Sequence, residues 1–131
     1  MFTQIKTSLE TREIVVQLTR KLGLGTENII ARIAFSYSLS KGEKLELKDI
    51  ENSSGKEYSK AVLFGEYADM YVGMICAHYQ LYKTDKDIVK YIKMHVDHGL
   101  RLLNQEVEER TNLDGFDFLS EKISSSLMIA L

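Results

Sequence analysis

Between residues 88 and 103, Ile88, Ile92, Val96, Gly99 and Leu103 are spaced by four, four, three and four. That period lines one face of an α-helix, and Gly99 lets a second backbone approach closely. Just upstream, Thr84-Asp-Lys-Asp87 has the form of a capping box with Asp in place of Glu, so the helix is expected to start beside it.

Toward the N-terminus the pattern changes. Residues 2–7 read as a short strand or extended arm, with Phe2 or Ile5 facing inward and Gln4 and Lys6 facing elsewhere. Thr7 or Ser8 can then cap a helix running to about Leu22, striped by Ile14, Leu18 and Leu22 and stopped by Gly23. Leu24 and Gly25 make a turn, and Thr26 can cap a second helix with Glu27 at its positive end. Ile29, Ile30, Ile33, Ala34 and Tyr37 supply the buried face of that helix.

Residues 41–60 are polar, anchored by Leu45, Leu47 and Ile50 and broken by the turn cluster at 52–55, which reads as a long loop. Residues 58–64 can be extended. Gly65 permits a turn before a helix over about 66–82, buried through Met70, Met74, Ala77 and Leu81 or through Tyr71, Ile75 and Tyr79. Beyond residue 103 the chain is acidic, then Ser-rich, and ends in an apolar run at 127–131 able to dock or fray. This pattern predicts a mainly α fold: a compact single-domain helical bundle over 1–103 with a short N-terminal strand or arm, and an acidic C-terminal extension over 104–131.

Composition narrows the function. With 131 residues, 44% apolar and 27% charged, the chain has the balance of one ordinary folded domain. Its longest apolar runs fall well short of the roughly 20 residues that cross a bilayer, so no membrane partner is expected. The N-terminus lacks the pattern of a secretory signal, and one cysteine cannot close an internal disulfide; a cytoplasmic location is expected. Net charge is −2, but fifteen basic side chains stand against thirteen acidic through residue 103, and two against six from residue 104 on. Contact with a polyanion therefore requires a local basic patch on the body.

The chemistry-bearing residues converge on no reaction. His78, His95, His98, Asp97 and Cys76 include metal-ligand types, but a site needs a third suitably spaced ligand, and a surface or helix-end role fits the histidines better. Cys76 sits within an apolar stretch and reads as a small hydrophobe. No phosphate-loop motif is present, and no Ser/His/Asp set is singled out. Arg20 and Lys21 suit the negative end of the first helix. Lys86, Lys90 and Lys93 read as a solvated row opposite the apolar stripe of the last long helix, and Lys48, Lys56 and Lys60 are diluted by acids. No cofactor is implied, and an enzyme is the least favoured class.

Four separated segments carry a resemblance: residues 22–39, residues 55–58, residues 63–67 and residues 95–100. In that order the chain resembles the DndE family, small subunits of the bacterial DNA phosphorothioation system, over roughly residues 3–104. The resemblance implies a helical homo-oligomer, a tetramer, that helps replace a non-bridging phosphate oxygen of DNA by sulfur. It implies DNA binding, with nicked duplex preferred, while other phosphorothioation proteins perform the sulfur chemistry. On that basis the candidate phosphate contacts are Lys6, Arg12, Arg20, Lys21, Arg32, Lys41 and Lys44. Gly65, Glu66, Tyr67 and Gly99 are family-motif positions with structural roles: a turn, a helix-dipole partner, a helix anchor and a close approach. One departure stands out, because Asp97 and His98 precede Gly99 where the family leads us to expect an arginine. The N-terminal order of strand and two helices also resembles ribbon-helix-helix DNA binders, whose ribbon comes from two chains; a repressor reading bases through Gln4 and Lys6 is one alternative. A non-catalytic scaffold is the other.

Overall fold

The computed structural model describes residues 2–109 and 115–130, with side chains through 124. Its centre is α5 (Ile88–Glu108), and all five residues of the predicted stripe are buried on it. β1 (Gln4–Lys6), α1 (Leu9–Leu22), α2 (Glu27–Ser40) and α4 (Ala68–Tyr79) pack on this rod, while β2 (Glu57–Ser59) pairs with β1, α3 (Lys60–Phe64) packs on α2, and α6 (Gly115–Ala130) packs on α1. Short 3-10 turns occupy Leu47–Asp49 and Gly65–Tyr67.

The seam between α2 and α5 is the most extensive. A Cβ placed on Gly99 would lie 1.8 Å from the Ala34 carbonyl oxygen, so glycine is what permits the two backbones to touch. Ile30, Ala31, Ala34, Phe35 and Ser38 form the buried face of α2, shifted by one position from Ile29, Ile33 and Tyr37, which are half-buried. Phe35, Phe64 and Tyr71 pack ring to ring at the far side of α2.

Ser8 caps α1 as expected, accepting from the Thr11 amide, and Gly23 closes it in the left-handed region. The buried stripe is Thr11, Val15, Leu18 and Leu22, with Ile14 half-buried. Gln4, Ile5 and Lys6 pair antiparallel with Ser59, Tyr58 and Glu57. The ladder partner of β1 thus lies within the same chain.

Several local expectations are corrected. Residues 58–64 are not a continuous extended run: Ser59 ends β2 and accepts from the Val62 amide, which caps α3 at once. The helix expected over 66–82 is α4, which starts at Ala68 and ends at Gln80 in the left-handed region. Of its two candidate stripes the Tyr71, Ile75 and Tyr79 set faces inward, while Met70 and Ala77 are exposed. Thr84 does not cap α5. The Asp85 carboxylate accepts from the Asp87 amide, and the helix begins at Ile88. A local side-chain turn at Asp85 outcompetes the box, whose Asp is a short arm for closing it.

Residue 104 lies inside α5, which runs on to Glu108. α6 then returns to α1, burying Phe118, with Gly115 close against the Leu22 carbonyl. Lys122 pairs with Glu106 at 2.7 Å, and Glu106 accepts from the Tyr37 hydroxyl. Side chains of the apolar run at 127–131 lie outside the described residues. Among described residues, no helix is long and apolar enough to cross a membrane.

Candidate nucleic-acid interface

Because one side of α1 is buried, its geometry sends Arg12, Glu13, Gln17, Arg20 and Lys21 to the opposite side. Arg12 and Arg20 stand eight residues apart, roughly 12 Å along the axis. Lys6 alternates outward from buried Ile5 and faces Glu57 across the ladder. None of these four basic side chains makes an ion pair among the described residues. Other cations are paired: Lys48 with Glu46 at 3.0 Å, Lys56 with Glu27 at 3.4 Å, and Lys90 with Asp87 at 3.5 Å.

A strap over residues 41–51 holds two further candidates. Lys41 stands 4.6 Å above the Tyr37 ring, where the π face attracts it, and Lys44 is exposed at the rim of a cavity of about 350 Å³ beside His98 and Arg101. Backbone and side-chain bonds hold the strap. The Leu45 amide donates to the Tyr79 hydroxyl at 2.8 Å, and His78 Nε2 lies 2.7 Å from the Glu43 carbonyl. Arg101 donates to both Glu51 oxygens and, at 2.8 Å, to Glu10, so strap, α1 and α5 meet on one guanidinium. The Glu51 hydrogen bonds, outweighing burial, raise the Arg101 pKa above its ordinary value.

Arg32 is placed differently from the other candidates. Its Nε donates to the Leu63 carbonyl at 2.6 Å and its Nη2 to that of Val62 at 3.4 Å, so it satisfies the open carbonyls of α3. It also lies beside Gly65, whose φ of 60° and ψ of −144° suit glycine. Glu66 is exposed near the start of α4. Tyr67 is 57% exposed and therefore does not anchor the helix as expected. The structure gathers Arg12, Arg20 and Lys21 on α1 and Lys41 and Lys44 on the strap, while Arg32 serves the α2–α3 contact.

The position where an arginine was expected has a physical account. Asp97 is buried; its Oδ1 accepts from the Ser8 amide at 3.0 Å and the Thr11 hydroxyl at 2.7 Å, and its Oδ2 meets Lys93 Nζ at 2.8 Å. Lys93, read from the sequence as part of a solvated row, is only 5% exposed. This charge pair locks the start of α1 to α5, which no surface row could do.

His95 is likewise not at the surface or a helix end, being fully buried. Its Nδ1 lies 2.7 Å from Ser38 Oγ and its Nε2 2.7 Å from the Tyr79 hydroxyl, while Ser38 Oγ is 2.8 Å from His98 Nδ1. Burial, reinforced by His78 and His98, pushes His95 down to about 4. No group of three or more His, Cys, Asp or Glu among the described residues is arranged to hold a metal. Sequence reasoning missed Ser38 and Tyr79. The only local signal was the three-residue spacing of His95 and His98, which puts both on one side of α5.

A family model described as DNA sulphur modification protein DndE matches residues 4–111. The fold is similar to a crystal structure of DndE from Escherichia coli B7A involved in DNA phosphorothioation modification, with a TM-score of 0.64 and 22% identity over 79% of this chain and 98% of that one. It is also similar to the crystal structure of a DndE variant, two of whose glycines are replaced by lysine, with a TM-score of 0.65 and 23% identity over the same shares. Among curated proteins, none matches.

Proposed function

Since the chain belongs to the DndE family of DNA sulphur modification proteins, we propose that it is an accessory, non-catalytic component of phosphorothioate modification that grips the DNA backbone. The observation that carries this reading is the division among its cations. Arg12, Arg20 and Lys21 are spread around the exposed half of α1 without ion pairs among the described residues, while Lys48, Lys56, Lys90, Lys93, Arg101 and Lys122 are ion-paired. Such groups attract phosphates without reading bases. A single copy offers few of them, and repetition in an oligomer multiplies the contacts.

The outer side of α4 supports assembly. Tyr67 and Met70 are 57% and 53% exposed, and Gly73 and Ala77 are exposed beside them, an apolar surface on which another copy can sit. A homotetramer, with partner proteins supplying the sulfur chemistry, completes the reading. Titration of fluorescent nicked and intact duplexes tests it: binding at micromolar protein, stronger on the nicked duplex and competed equally by random sequence, is expected. Absence of binding at that concentration overturns direct DNA contact and leaves the scaffold reading, which the same α4 surface favours.

A further inference from the structure

The geometry points to one directional hydrogen-bond chain, through Tyr79, His95, Ser38 and His98, that positions the strap carrying Lys41 and Lys44 and reverses direction when His98 gains a proton. Its bearing on DNA rests on the reading above; the chain itself does not. Ser38 has a single hydroxyl hydrogen between two imidazole Nδ1 atoms, at 2.7 and 2.8 Å. The hydroxyl can donate to only one of the two rings, so at least one ring must donate from Nδ1.

Only one direction satisfies every member. The Leu45 amide donates to Tyr79, Tyr79 donates to His95 Nε2, His95 Nδ1–H donates to Ser38, and Ser38 donates to His98 Nδ1. His98 Nε2–H is then left facing the Glu43 carboxylate at 3.8 Å. A proton on His98 Nδ1 occupies the place where Ser38 donated. The Ser38 hydroxyl turns to His95 Nδ1, and His95 gives up its hydrogen there and holds one at Nε2, pointing at Tyr79. The chain has taken up one proton from solvent and released none. Tyr79 now receives two donors, and its own hydrogen has no acceptor among the described residues, which loosens the Leu45 latch.

Burial keeps His95 neutral in both states. The surrounding charges are largely committed. From the strap, Glu43 faces His98, with Lys44, Glu46, Asp49 and Glu51 lining the adjoining cavity. On α5 itself, Asp97 is held by Lys93, and Arg101 by Glu10 and Glu51. On the α4 side, His78 contacts the Glu43 carbonyl, and Tyr91 of α5 stacks on Tyr79 at 3.8 Å.

Imidazole nitrogen NMR on the full chain, from about pH 8 to about pH 5, tests the inference. The expected result is His95 as the Nδ1–H tautomer at high pH, switching to Nε2–H with the same midpoint as His98 protonation, and a Leu45 amide shift that follows. In Ser38→Ala, His95 and Leu45 should stay still over the same range. A His95 tautomer that ignores His98 in the wild type, or coupling that survives Ser38→Ala, overturns it. His98→Asn, which removes that ring, should hold His95 in one tautomer throughout; a switch there also overturns it. A coupled switch in a chain that binds no DNA sustains the inference and removes the proposed function instead.

Discussion

The two sides of α5 are built on different physics. Around Ala34 in the middle of α2 the contact is apolar and so close that Gly99 lies against the Ala34 carbonyl. Toward α1, the strap, the end of α4 and the last turn of α2 it is polar: Lys93, Asp97, His95 and His98 engage Ser8, Thr11, Ser38, Tyr79 and Glu43. An apolar seam is non-directional and indifferent to pH, whereas a buried polar seam is strong only while every partner is in place. The first makes a scaffold. The second fixes where α1 and the strap sit, and those two elements present five of the candidate phosphate contacts, Arg12, Arg20, Lys21, Lys41 and Lys44.

Breaking either seam should cost several kcal/mol. Gly99→Ala puts a methyl group into a backbone carbonyl that cannot move away, and overpacking of a core costs about 1–3 kcal/mol and more where backbone must shift. We expect a loss of at least about 3 kcal/mol, seen as a fall in the urea midpoint; a midpoint equal to wild type would mean that the helices are not in contact there. At the polar seam, Asp97→Ala leaves the Lys93 ammonium buried without its partner and frees the Ser8 amide, costing about 3–5 kcal/mol. Replacing both, Lys93→Met with Asp97→Ala, should cost less than Asp97→Ala alone, because the orphaned charge is gone. A double variant worse than the single would contradict a buried pair.

The smaller effect separates the two seams by pH. The folded His95 pKa, at about 4, lies below the ordinary imidazole value, so the unfolded chain takes up the proton first. The stability this provides is complete above about pH 6.5 and is lost as pH falls toward 4, by about 2 kcal/mol at about pH 5. Denaturation at the two ends of that window should show the loss in the wild type and a shallower one in His95→Gln. An equal slope in both would place the pH dependence elsewhere.

The apolar seam was legible because its signal is local and periodic: Ile88, Ile92, Val96, Gly99 and Leu103 announce their helix and face, and Ser8 and Gly23 announce the ends of α1. The polar seam was not, because burial of Lys93 and His95 is set by elements far away in sequence. Asp97 reaches back 89 residues to Ser8, and His95 reaches 57 to Ser38. A lysine four residues before an aspartate looks the same whether the pair is wet or dry. Arg32 shows the same limit, since its inward turn depends on where α3 ends. Lys6, Arg12, Arg20, Lys21, Lys41 and Lys44 were nameable from sequence, but which of them remain unpaired depends on the fold.

The salt dependence of DNA binding tests the central claim most directly. The logarithm of the binding constant should fall linearly with the logarithm of salt concentration, and neutralising Arg12, Arg20 and Lys21 together with glutamine should flatten the slope by about two to three for each bound copy. A slope near zero, or one unchanged by removal of those three charges, would contradict the account.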